Sequence, residues 1–233
     1  MTPAAAHPSP RGFFITGTDT GVGKTLVCCA LLHGFRARGK SVIGMKPVAA
    51  GAVRGPEGLI NEDVVRLRAA SNVDAALKLI NPYCFEAPIA PHLAAEQAGV
   101  VIELSTIASA FRQLAAAADL VLVEGVGGFC VPLNRGEDSA DLARCLGLPV
   151  ILVVGMRLGC LNHALLTVQA MHAKGLKFAG WIANRVDPEM MAAERNVAAL
   201  AARLPAPLLV DIDFTPQPDP QHIAALLELP NLL

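Results

Sequence analysis

The stretch that decides the fold is GTDTGVGKT, from Gly17 to Thr25. An apolar run, Phe13-Phe14-Ile15, precedes it, and a helix-like apolar run, Leu26 to Phe35, follows. Strand, glycine loop, helix is the order of a phosphate-binding loop. Glycines let backbone N–H groups turn inward around phosphate oxygens, Lys24 can reach the terminal phosphates, and the Thr25 hydroxyl suits Mg²⁺. The helix N-terminus adds a dipole that favours anions. One irregularity stands out. The usual spacing puts four residues between the first glycine and the Gly-Lys pair; here that place is Thr18, and Gly17 lies one residue early. The competing reading is a glycine-rich turn with one buried-side lysine.

Working outward, apolar β-type runs recur at Gly12 to Thr16, Ser41 to Lys46, Leu120 to Glu124, Val150 to Val154, Phe178 to Asn184 and Leu208 to Ile212. Most are continuously apolar, which suits central strands of a parallel sheet covered on both faces. Helical candidates lie between them: Lys24 to Arg38, Asn61 to Ala70, Ile102 to Ala117, Ala140 to Leu146, Cys160 to Lys174 and Glu189 to Arg203. The alternation predicts a three-layer α/β/α fold around a mostly parallel sheet, of the P-loop NTPase type. Pro47 to Val101 departs from this rhythm. It is rich in glycine and proline and predicts one or two short helices within a binding region.

At 233 residues the chain fits one large domain, expected over residues 12–233, behind a frayed N-terminal tail over residues 1–11. Hydrophobic residues make up 53% and charged residues 17%, which argues against extended disorder. A net charge of -1 offers no electrostatic grip on nucleic acid or an acidic membrane. The six cysteines form no CxxC pair and read as small hydrophobes in a reducing compartment. A soluble cytoplasmic protein is the expectation.

In open α/β sheets, ligands sit beyond the carboxyl ends of the strands, so the residues there carry the functional reading. The second strand ends at Lys46 in GMKPVAAG, which reads either as a solvated lysine at a turn or as a second cation for a transferring phosphoryl group. The third ends in VLVEGVGG, where Glu124 follows four apolar residues. A carboxylate buried there needs a partner, and Mg²⁺ bridging to phosphate would supply one. Asp63, in INEDVV, reads from spacing alone as an ordinary first-turn helix acid. Gly159 opens a helix whose first N–H groups, from Cys160, Leu161 and Asn162, are free for an anion such as a substrate carboxylate. Asn184, ending the fifth strand, reads equally as a base reader or a turn residue.

Together, GTDTGVGKT, GMKPVAAG, the NED around Asp63, NPYCF, VLVEGVGG, PVILVVGMRLGCLNHALLT, GWIAN and LPAPLL resemble the dethiobiotin synthetase family, in its order, from about residue 13 to 212. The family's phosphate loop has the same extra residue. The resemblance implies ATP-dependent carboxylation and ring closure of 7,8-diaminononanoate with CO₂, through a carbamate and a carbamic-phosphoric anhydride. It implies Mg²⁺ on Thr25, Asp63 and Glu124, and phosphates on Gly21, Val22, Gly23, Lys24, Thr25 and Leu26. Gly125, Val126 and Gly127 would line the nucleotide, and Asn184, Arg185, Asp213, Phe214 and Thr215 would hold its base. Lys46 and Lys24 would be catalytic. Thr20, Lys46, Ala50 and Gly159, Cys160, Leu161 and Asn162 would meet the substrate, in a homodimer with the active site at the interface. Two positions depart from the family pattern: Ala50 replaces a common serine, and Asp213 a common proline.

Two rival functions are weaker. A nucleotide switch would need neither Lys46 nor a second anion site, and Asn184-Arg185 is not the start of a guanine-reading NKxD. An amidation enzyme would usually need a glutaminase domain, for which the chain leaves no room.

Overall fold

The computed structural model describes residues 12–55 and 58–229; the expected tail over residues 1–11 lies outside them. The chain opens with β1 (Gly12–Gly17), the phosphate-type loop and α1 (Lys24–Ala37), followed by β2 (Val42–Met45). An excursion then runs through β3 (Val48–Ala50), β4 (Val53–Gly55), β5 (Gly58–Ile60), α2 (Glu62–Ala70), α3 (Leu77–Ile80), β6 (Tyr83–Phe85) and α4 (Pro91–Gln97). The regular alternation resumes with α5 (Leu104–Ala117), β7 (Leu120–Glu124), α6 (Ser139–Leu146), β8 (Val150–Gly155) and α7 (Cys160–Ala173). It closes with β9 (Phe178–Asn184), α8 (Ala193–Ala201), β10 (Leu208–Ile212) and α9 (Pro220–Leu226).

The main sheet has the order β10-β9-β8-β1-β7-β2, and every pairing in it is parallel. Successive side chains of a strand point to opposite faces, so a run apolar at every position fills two cores. In β1, Phe14 packs with Val121, Val123 and the inner faces of α5, α6 and α7. Its neighbours Phe13 and Ile15 pack with α1, Leu67 of α2 and Ile223 of α9. That is the three-layer architecture, with β8 and β1 at its centre. Among the described residues, no helix is long and apolar enough to cross a membrane.

Strand order reverses around β1: the chain leaves it for β2 on one side and later returns to β8 on the other. Loops after β1 and β7 therefore diverge at their carboxyl ends and leave a crevice between them. The excursion closes one flank of that crevice. β3 pairs with β6 in parallel and β4 with β5 antiparallel, so the glycine- and proline-rich segment contains small sheets as well as helices.

Candidate active site

The loop after β1 turns into α1 through Gly23, whose φ of 91° is in the left-handed region. A Cβ there would lie 2.2 Å from Nδ2 of Asn184, which donates to the Val22 carbonyl at 2.9 Å. The end of β9 is thus pressed against the loop. Lys24 is buried, and its ammonium donates to the Asp19 carbonyl at 2.9 Å. Burial, and then the charge of Lys46, lower its pKa to about 8.

Lys46 follows β2 directly, with its N–H on the Ile80 carbonyl and its own carbonyl receiving Asn81 Nδ2. This anchoring sends the side chain inward, where it is 4% exposed. Its Nζ lies 2.5 Å from Glu124 Oε1 and 2.9 Å from Asp63 Oδ2. Burial disfavours the charged lysine, but Glu124 and then Asp63 outweigh it and raise the pKa above its ordinary value. Burial likewise disfavours the Asp63 carboxylate, yet the Lys46 ammonium and the Thr25 hydroxyl hold its pKa below the usual range. Thr25 Oγ1 also donates to Glu124 Oε1 at 2.9 Å, tying the loop to the end of β7.

Asp63 is placed by a cap. Asn61 accepts from the Asp63 N–H at 3.1 Å and donates to the Ala50 carbonyl at 3.3 Å, fixing the first turn of α2 against β3. Glu124 is 1% exposed, and its Oε2 has no hydrogen-bond partner. An orphaned buried carboxylate oxygen costs several kcal/mol unless a cation meets it. Two carboxylates and a hydroxyl beside a phosphate cradle are the hard oxygen donors that Mg²⁺ takes, with phosphates and waters completing its shell. The residues present therefore fit that ion.

These side chains line one cleft of about 840 Å³, with Asp19, Thr20, Gly21, Gly23, Leu26, Ala50, Val126 and Gly127 among its walls. Gly127, in the left-handed region, places its backbone near Thr20, where a Cβ would lie 3.6 Å from Oγ1. The sequence reading missed several contributors. Asn61, Arg66 and the Pro88–Pro91 segment line the cleft, and Arg157 pairs with Asp19 at its edge. Arg66 was findable, since it sits one helical turn from Asp63 and so shares its face.

Other expected residues stand apart. Gly159, Cys160, Leu161 and Asn162 do not line this cleft within one chain, although Arg157 brings the approach to α7 against the phosphate loop. Asp213, Phe214 and Thr215 also lie outside it. The Arg185 side chain is engaged by acids of its own chain. Its guanidinium is held by Asp211 at 2.7 Å, Glu194 at 2.8 Å and Asp213 at 3.4 Å, so it braces the loop after β10.

With this geometry in place, comparison with known proteins assigns the family. A family model described as an AAA domain matches residues 11–222. A protein of Aromatoleum aromaticum named ATP-dependent dethiobiotin synthetase BioD is 57% identical over 95% of this chain and 99% of its own length. One of the same name from Nitrosospira multiformis is 53% identical over 95% of this chain and 96% of its own. The chain belongs to the dethiobiotin synthetase family. Among solved structures, the MinC:MinD cell division protein complex of Aquifex aeolicus matches with a TM-score of 0.54 at 17% identity, covering 88% of this chain and 82% of that one. Chloroplast FtsY from Physcomitrella patens matches at 0.51 and 18%, covering 97% and 67%. At such identities these two speak for the fold alone, and they bear out the P-loop architecture.

Proposed function

We propose that the chain is a cyclo-ligase that uses ATP to carboxylate 7,8-diaminononanoate with CO₂ and close the ring to dethiobiotin, releasing ADP and phosphate. The observation that carries this is the buried Lys46 ammonium, held by two acids, one of which also accepts the Thr25 hydroxyl of the phosphate loop. A switch that only bound nucleotide would have no use for a second buried lysine at that point.

One substrate amine adds to CO₂ and loses a proton, giving a carbamate. A carbamate oxygen then attacks the γ-phosphorus of ATP, and the bond to ADP breaks. The second amine attacks the activated carbon, loses its proton and expels phosphate. Phosphorylation turns a poor leaving group into a good one, and holding both amines in one cleft makes closure intramolecular. Lys24 and the loop N–H groups hold the phosphates. Lys46 offsets charge where carbamate and γ-phosphate meet. Thr25, Asp63 and Glu124 would hold Mg²⁺, which when bound neutralises phosphate charge and orients the β- and γ-oxygens. Asn184, already against the loop, and the segment Asp213 to Thr215, braced by Arg185, are our candidates for the adenine side.

The working form in this reading is a homodimer. Leu158, just before α7, is 96% exposed and Leu166 on α7 is 55% exposed; of the N–H groups expected to be free at the start of this helix, that of Cys160 is already bonded to the Arg157 carbonyl at 3.0 Å. A second copy would cover those leucines and bring its α7 N-terminus to the substrate carboxylate. Residues 12–233 then act as one catalytic unit in the cytoplasm, with no nucleic-acid or membrane partner. In the test, ADP release depends on both diaminononanoate and bicarbonate, and isotopic carbon from bicarbonate appears in a cyclic urea. ATP turnover by folded protein that is indifferent to both compounds refutes the reading.

A further inference from the structure

The proposed metal ligands are already engaged by the protein's own cation and hydroxyl. Glu124 Oε1 receives both Lys46 Nζ at 2.5 Å and Thr25 Oγ1 at 2.9 Å, while Asp63 Oδ2 receives Lys46 at 2.9 Å. Glu124 Oε2 stays buried with no partner. Lys24 points back to the Asp19 carbonyl, and Arg157 lies on the Asp19 carboxylate. Each cation facing the nucleotide cleft from these elements is therefore held on a protein oxygen.

We propose that Lys46 is a resident counter-ion that exchanges with the divalent metal: its ammonium closes the metal position in the nucleotide-free enzyme, and metal arriving with nucleotide releases it toward the carbamate. The inference rests on the assignment of Asp63 and Glu124 as metal ligands. Its physical basis is that an ammonium and a dication held on the same two carboxylates repel each other across a few ångströms of buried space, so each weakens the other's hold. Mg²⁺ takes oxygen donors at about 2.0–2.1 Å in near-octahedral order, and Thr25, which gives its proton to Glu124, keeps a hydroxyl lone pair for it. The orphaned Oε2 shows that the ammonium satisfies this acidic site only in part. Lys46 would thus stay off the substrate until nucleotide and metal are both in place, which guards ATP against futile hydrolysis.

The test uses Mn²⁺ as the probe, with bound metal read by electron paramagnetic resonance on the full chain. Lys46→Met keeps the length of the side chain and removes its charge. Without nucleotide, it should bind Mn²⁺ roughly tenfold or more tightly than the unaltered protein, because two acids lose their internal cation. Equal or weaker binding by a folded Lys46→Met protein overturns the exchange. The unaltered enzyme supplies a second readout. Acylation of Lys46 by an amine-reactive ester, followed by mass spectrometry, should rise when Mg²⁺ and ADP are added together and stay low with ADP alone. Protection of Lys46 by the pair overturns the proposal. Asp63→Asn separates the two layers. If it leaves Mn²⁺ binding with ADP unchanged, the metal assignment itself fails; if it weakens that binding while Lys46→Met fails to tighten it, only the exchange is lost.

Discussion

Replacing Gly23 by alanine tests the contact between the phosphate loop and the end of β9. Two costs follow from the structure. The backbone sits at φ 91°, where an L-residue loses about 1–2 kcal/mol relative to glycine. The new methyl would also stand 2.2 Å from Asn184 Nδ2, far inside contact distance. Asn184 is 7% exposed and cannot swing into solvent, so it must shift and lose its bond to the Val22 carbonyl, worth about 0.5–1.5 kcal/mol. The sum is about 1.5–3.5 kcal/mol, or roughly a 3–14 °C fall in Tm for a chain of this size. Gly21→Ala is the internal control. Gly21 has φ 74° with nothing within 4 Å of its Cβ, so alanine there incurs only the backbone cost. Thermal unfolding of nucleotide-free protein should rank Gly23→Ala below Gly21→Ala. Adding Asn184→Ala to Gly23→Ala should recover about 1 kcal/mol as a coupling energy between neighbours. If the two glycine variants melt together, or Asn184→Ala gives no relief, the reasoning about this contact is wrong.

Other outcomes follow from the same site. Lys24 has a pKa lowered to about 8, against an ordinary 10.5, so the nucleotide-free fold sheds that proton before the unfolded chain does. This group therefore adds stability as pH rises from about 8 to 10.5, and ADP, which needs the ammonium, should bind evenly below pH 8 and more weakly above it, by up to about tenfold per unit. Calorimetry in buffers of different ionisation enthalpy should show proton uptake on ADP binding above pH 8; pH-independent affinity would remove Lys24 from the phosphates. Lys46→Met should still bind nucleotide while turnover falls by orders of magnitude, and unchanged turnover would take Lys46 out of the mechanism. Ala50→Ser restores a hydroxyl at the cleft wall and should lower the diaminononanoate KM by roughly fivefold, with kcat unchanged, for a bond of about 1 kcal/mol. Leu158→Glu should leave a monomer in sedimentation if that leucine lies at the proposed dimer interface, and should raise the KM for diaminononanoate well above that for ATP.

The main sheet could be read because its strands are buried on both faces, which leaves a continuous apolar signature. Leu120–Glu124, Phe178–Asn184 and Leu208–Ile212 match their expected bounds to the residue, and the others to within one at each end. The strand ends then pointed to Lys46 and Glu124, because an ion beside an apolar run is itself a signal. Helix ends were less regular. α8 begins at Ala193, not Glu189, since Ala192 sits at φ 56° and breaks the turn before it. α4 and α9 were missed although each carries proline in its first turn, and α9 also has Asp219 as its cap. Both are too short for a periodic stripe to show.

Asp63 marks where local reading stops. In sequence it is one more acid in the first turn of a helix, and the dipole explains it fully. What makes it part of the site is the path from β2 to α2, and that path has no periodicity to read. Its small sheets are fixed by pairings with distant residues, β3 with β6 in particular. The Ala50 carbonyl on β3 receives Asn61, Asn61 caps Asp63, and the carboxylate is thereby delivered to an ammonium on the end of β2. Three weak local preferences thus become one placement only when the sheets have formed. Glu124 differs because its strand alone delivers it to the cleft. The two acids that share one lysine are therefore unequal in origin. Asn61→Ala should move Asp63 and weaken Mn²⁺·ADP binding while leaving Glu124 in place, and a Mn²⁺ affinity untouched by loss of that cap would show that α2 holds its acid by some other means.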